Sequence, residues 1–133
     1  LNARIYDVVA LGPNNTRLDT VRAAFDEPFS MPKSTDVYLI PAFYDNETPT
    51  EKLLDTKLKV SLDANFSTFK DLPLTFVPQF GVWLAQVNTG LWPSGSLVYM
   101  RVEMRDADHQ AVAKLPSALS PVYMVKHFSF KVE

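Results

Sequence analysis

The sequence has no cysteine, only four glycines, two histidines and no surplus of either charge. Each shortage closes off a class of chemistry. Without cysteine there is no disulfide, no zinc–thiolate site and no cysteine nucleophile. That absence leaves the compartment open, because secreted domains of this size can lack disulfides and cytoplasmic ones usually do. The glycines at 12, 81, 90 and 95 make neither a phosphate-binding loop nor a dinucleotide fingerprint. A GxSxG elbow and an HExxH pair are missing too, so the expectation is no cofactor, no resident metal and no enzyme. Thirteen basic against fifteen acidic residues give a net charge of −2, without the basic face that nucleic-acid binding needs. No apolar run approaches the roughly 20 residues of a membrane span. No signal peptide is recognisable, and the chain opens on Leu1 rather than Met, which points to a processed or trimmed protein.

What is present is the make-up of one globular domain. The 133 residues are 47% hydrophobic and 21% charged, which argues against disorder and for a single domain over residues 1–133. Ten prolines are spread along the whole chain. An interior proline costs a helix about 3 kcal/mol, so the spacing favours short strands joined by turns.

Hydrophobic alternation locates those strands. In 96–105, Val98, Met100, Val102 and Met104 alternate with Tyr99, Arg101, Glu103 and Arg105, the mark of one buried and one wet face. Asp106-Ala107-Asp108-His109 then reads as a turn and 110–115 as the return strand. In 54–63, Leu54, Thr56, Leu58, Val60 and Leu62 share one face. In 126–132, Phe128, Phe130 and Val132 point inward. Residues 4–11, 20–25 and 81–87 complete the set of about eight strands. Segment 37–44 is apolar on both faces and contains Pro41. Proline is confined to edges and bulges, so this strand is expected at an edge or bulged, needing cover on both sides, for which a partner chain is one source. One motif favours helix: Thr48-Pro49-Thr50-Glu51 is a capping box with proline at the first helical position, implying at most one short helix near 49–55. The fold expected is all-β: an antiparallel sandwich, immunoglobulin-like or jelly-roll-like, with a barrel as the alternative closure.

The candidate site residues are mostly aromatic. Trp92 lies in a stretch of turn composition, 88–95, where it is either a lid on the core or an exposed anchor. Tyr99 falls on the wet face of its strand, and the two together would make a platform for a glycan or a protein. Tyr38 and Tyr44 are further interaction candidates, with core packing as the plainer reading, which also covers Trp83. His109 and His127 would be the bases of a small hydrolase, yet neither comes with a nucleophile signature. Asp106 and Asp108, or Asp45, Asn46 and Glu47, offer oxygens of the kind calcium takes, but without the spacing of a calcium loop. Asp and Asn are equally ordinary turn residues. Three glycosylation sequons begin at Asn14, Asn46 and Asn65, where composition predicts about one; they raise a secreted or surface origin modestly.

The second half also carries a recognisable series. Gly81-Val82-Trp83-Leu84-Ala85 opens a strand, and a turn closes on Gly95-Ser96-Leu97-Val98-Tyr99. The hairpin Asp106-Ala107-Asp108-His109 follows, and Phe128-Ser129-Phe130-Lys131-Val132 ends it. Residues 81–133 resemble the last strands of immunoglobulin-like and fibronectin-III-like modules, most of all the N-terminal sandwich of phage baseplate proteins. His109 stands where that family's turn usually has glycine, and 115–121 is longer than a simple return. The resemblance implies a virion or cell-surface part acting through protein contacts or self-association, with no catalytic residues to carry over. The expected location is accordingly a virion or the extracellular surface, with the cytoplasm as the alternative. A carbohydrate-binding module is the competing function.

Overall fold

The computed structural model describes residues 4–19, 28–44, 54–105, 112–115 and 128–133. Within them lie ten strands: β1 (Arg4–Leu11), β2 (Phe29–Met31), β3 (Asp36–Tyr44), β4 (Leu54–Ser61), β5 (Lys70–Pro73), β6 (Thr75–Val77), β7 (Val82–Asn88), β8 (Leu97–Arg105), β9 (Val112–Leu115) and β10 (Phe128–Val132). They form two sheets, ordered β1-β3-β7-β6 and β2-β10-β8-β4-β5, with β9 also paired to β8. The sheets bury their facing sides against each other. Val8, Ala10, Val37, Leu39, Ala85 and Val87 come from the first, and Leu58, Val60, Val98, Met100, Phe130 and Val132 from the second. This is the expected all-β sandwich.

The long alternations become the central strands because period-two patterning lets each face meet a different medium. Val98, Met100 and Val102 have no exposed surface, nor do Phe130 and Val132. In β4 the alternation stops at Ser61. Its hydroxyl donates to the Thr68 carbonyl and accepts from the Asp63 amide, turning the chain into the β4–β5 loop. Leu62, expected on the inner face, is therefore 54% exposed.

Three differences from expectation have physical causes. First, the described residues hold three strands beyond those expected, β2, β5 and β6, each three or four residues long and too short to show a period. Prolines 28 and 32 flank β2, and Pro73 closes β5 on the sheet edge, where a missing N–H costs nothing. Second, the larger sheet is mixed: β2 runs parallel to β10, pairing Phe29 with Phe130 and Met31 with Val132. Third, β3 is not an edge along its whole length. Tyr38 and Leu39 pair with β1 on one side and β7 on the other, and Asp36 and Val37 continue the pairing with β7. From Ile40 on, β3 pairs with β1 alone among the described residues, and Pro41 falls just past the last β7 partner. The proline marks where the second neighbour ends, and the cover over Val37 and Leu39 is the opposite sheet of the same chain.

No α-helix occurs among the described residues; there are two single 3₁₀ turns, Pro13–Asn15 and Thr89–Leu91. Most of the expected helix at 49–55 lies outside the described residues, and its last two positions, Leu54 and Asp55, are strand. The expected strand at 20–25 and the turn at 106–109 also lie outside them.

The short 88–97 connection joins the end of β7 to the start of β8. The end of β8 thus lies at the same end of the sandwich as the start of β7. The molecule has two unlike ends: one holds the β6–β7 turn, the other the ends of β1 and β7 and the starts of β3 and β8.

Candidate functional site: a polar cleft and an aromatic hairpin

At the second end, two turns fold over the outer face of the four-stranded sheet. The first follows β1. The Gly12 amide donates to the Thr16 carbonyl at 2.8 Å, and the Asn15 amide donates to the Gly12 carbonyl at 3.1 Å. Asn14 and Asn15 both hold left-handed backbone, at φ 59° and 58°, a conformation Asn tolerates better than most residues. Gly12 packs against Leu18; a Cβ there would lie 3.0 Å from a Leu18 methyl. Asp19 anchors the whole turn. It is 1% exposed, accepts from the Ala10 amide at 3.0 Å, and takes both Nε and an Nη of Arg17 at 2.9 and 2.7 Å. Burial pushes the Asp19 carboxyl up, but the Arg17 hydrogen bonds, the Ala10 amide and the Arg17 charge outweigh it and hold the group below its ordinary value of 3.8.

The second turn precedes β3. Its anchor is Thr89, which has no exposed surface. The Thr89 hydroxyl donates to the Pro32 carbonyl at 2.6 Å and accepts from the Thr35 amide at 2.9 Å; the Thr89 amide donates to the Thr35 carbonyl at 2.9 Å. Ser34, at φ 52°, is the third left-handed non-glycine here. Beside it, Asn88 donates through Nδ2 to Asp36 at 2.9 Å and accepts from the Gly90 amide at 2.8 Å.

Between the two turns is a cleft of about 530 Å³, walled by 12–15 and 34–36 and floored by Tyr38 and Gln86. Tyr38 and Gln86 are direct partners across β3 and β7, and Asp36 and Asn88 are partners two pairs further on, on the same face. Tyr38 is 37% exposed. The strand register thus sets an aromatic ring beside a carboxamide, with a carboxylate at the rim, and two buried anchors hold the walls.

The other end carries a different surface. The turn between β6 and β7 presents Phe80, which is 75% exposed. Gly81 completes the turn at φ 65°, its amide donating to the Val77 carbonyl at 2.9 Å. Phe76 and Trp83 face each other across the hairpin with ring centroids 5.3 Å apart. Phe76, Val77, Val82, Trp83 and Leu84 are all half-buried, so this part of β7 shows no fully buried side.

The remaining sequence candidates fall as follows. Trp92 is 6% exposed and packs edge-on to Phe130 at 5.3 Å, while its backbone carbonyl accepts from Lys33. Of its two readings, a lid on the core or an exposed anchor beside Tyr99, the burial of the ring matches the lid. Turn composition placed Trp92 correctly in the chain but says nothing of which way its ring turns. Tyr99 is half-buried on β8, opposite Ser61 and Ser129. Tyr44 ends β3, and its side chain lies outside what is described. Asn14 and Asn65 are exposed. Asn46, both histidines, Asp45, Glu47, Asp106 and Asp108 lie outside the described residues. Among the described residues no three His, Cys, Asp or Glu side chains cluster as metal ligands. No helix among them is long and apolar enough to cross a membrane.

Sequence reasoning missed the hairpin and most of the cleft. The cleft draws its groups from three separated segments, and only Tyr38 and the Asn14 sequon stood out beforehand. For the hairpin, the run Phe76, Val77, Phe80, Val82, Trp83 around Pro78 and Gly81 was a usable signal.

No family model matches the chain, and it has no match among the curated proteins or the solved structures.

Proposed function

We propose that this protein is a non-enzymatic assembly module of immunoglobulin-like type, working through protein–protein contacts made by its β6–β7 hairpin. The observation that carries the reading is Phe80, three-quarters exposed at the tip of a hairpin whose other aromatic and aliphatic side chains are half-buried. Contiguous exposed apolar surface of this kind marks contact sites, and aromatic anchors supply much of an interface's energy. Strand β6, three residues long, also ends its sheet, and an edge offers backbone groups to a partner strand.

The strand order supports the immunoglobulin-like part. With β1, β3, β7 and β6 as A, B, E and D, the smaller sheet reads A-B-E-D. In the larger, β10, β8, β4 and β5 read G-F-C-C′. β9 and β10 pair with successive halves of the same side of β8, since β4 takes the other. They share the G position. The chain departs from antibody-type domains in having no cysteine pair and no tryptophan on the C-equivalent strand. The resemblance of 81–133 to phage baseplate sandwiches makes a virus or phage particle the first setting in which to look for the partner. The saccharide reading built on Trp92 loses its support, because that ring is in the core.

Sedimentation velocity over a wide concentration range tests the proposal, alone and with particle fractions. Association that Phe80→Ser abolishes, with an unfolding free energy that stays within about 0.5 kcal/mol of wild type, is the expected result. A protein that stays monomeric and joins no larger assembly would overturn it.

A further inference from the structure

We propose that the cleft between the 12–15 and 34–36 turns is a binding site for a neutral saccharide, with Tyr38 as its stacking surface. This site is independent of the hairpin and lies at the other end of the sandwich.

The chemistry of the lining selects the ligand class. At about 530 Å³, the cleft falls within the roughly 300–1,000 Å³ of small-ligand sites. The polar residues that line it are Asn14, Asn15, Ser34, Thr35, Asp36, Tyr38 and Gln86, which carry amides, hydroxyls, one carboxylate and one aromatic ring. Amides and hydroxyls both donate and accept, and a carboxylate accepts only. Such a set matches a ligand that presents many hydroxyls, each able to do both. Among the described residues, Asp36 is the single charged residue lining the cleft, and no Lys or Arg lines it. An anionic ligand, whether phosphate or an acidic polysaccharide, would meet repulsion from Asp36, with no compensating cation among the described lining residues. A purely apolar ligand would cover the amides and hydroxyls of the lining without offering them partners. A pyranose answers both demands: its C–H face lies on an aromatic ring and its hydroxyl rim meets amides and a carboxylate.

The site is also preorganised. Thr89 fixes one wall and Asp19 the other through buried hydrogen bonds, and Asn88 holds Asp36 through Nδ2. Three non-glycine residues on these walls adopt left-handed backbone, held there by this bonding. A ligand entering such a cleft orders little that was not already ordered.

The test uses isotope-labelled, unglycosylated protein titrated separately with maltohexaose, cellohexaose, chitohexaose and mannohexaose to millimolar concentration, with backbone amide shifts as the readout. Saturable shifts confined to 12–15, 34–38 and 86 with at least one of them are expected. Tyr38→Ala should weaken that Kd about tenfold or more, while Tyr38→Phe, which keeps the ring, stays close to wild type. Heparin hexasaccharide and inorganic phosphate should leave the cleft amides unmoved. The proposal is overturned if none of the four sugars moves those amides or if the shifts fall elsewhere. It is equally overturned if a folded Tyr38→Ala protein keeps wild-type affinity, or if the anionic probes move the cleft amides as strongly as the sugars. Should Tyr38→Ala not fold, Gln86→Ala takes its place with the same criterion.

Discussion

Thr89 shows how one small side chain can set the shape of a surface several residues away. Its hydroxyl and amide bind Pro32 and Thr35 from a fully buried position. Thr89→Val keeps the volume and removes the hydroxyl, stranding the Pro32 carbonyl and the Thr35 amide. A buried group left unsatisfied costs about 1–3 kcal/mol, so urea denaturation should show a loss of about 2 kcal/mol, with Thr89→Ser much closer to wild type. Asp19 yields a pH prediction. Its folded-state pKa lies below its unfolded value. The stability it contributes is therefore complete above that unfolded value, near 3.8, and is lost as pH falls through the lower folded value. Wild-type stability should drop between about pH 5 and pH 2. Asp19→Asn should be less stable at pH 7 and lose less over that interval. Some slope will remain in the variant, because Asp63 is also held low by the Asn65 amide and by Ser67.

At the scale of elements, the strands that alternate for five residues or more were legible in advance, because a strand between core and water produces that pattern. Strands β4, β8 and β10 were readable for this reason. β2, β5 and β6 were not, since three or four residues carry no period. Nor was the interior position of β3. A proline argues for an edge, and it was right only for the part of β3 beyond Leu39. Trp92 and the cleft share a deeper reason for being unreadable: side-chain direction in a turn depends on contacts with distant strands, here Phe130 and Lys33. Phe130 is the hub of that contact, fully buried between Phe29 at 5.8 Å and Trp92 at 5.3 Å. Phe130→Ala should cost about 3–5 kcal/mol. Because Trp92 loses its edge contact, its fluorescence should change in the folded variant as well as the unfolding midpoint.

At the scale of the whole molecule, the apolar hairpin and the polar cleft sit at opposite ends of strand β7. They share strand β7 but no side chain: Val82 to Leu84 serve the hairpin, and Gln86 and Asn88 serve the cleft. Distant sites without common partners usually act additively. Phe80→Ser should therefore leave the Kd of any sugar found at the cleft unchanged, and Tyr38→Ala should leave sedimentation unchanged. A module of this shape can hold an assembly with one end and present the other to a ligand.

The parallel pairing of β2 with β10 has a consequence in time as well as space. Phe29 and Phe130 are partners although about 100 residues separate them, and closing so long a loop is entropically costly. Hairpins such as β4–β5 and β6–β7 can form early from neighbouring residues. The β2–β10 seam must wait, both for its loop to close and, during synthesis, for 128–132 to leave the ribosome. Stopped-flow chevrons should show folding in the slow range of sandwiches, about milliseconds to seconds. Phe130→Ala should act mainly by speeding unfolding, the signature of a contact made after the rate-limiting step.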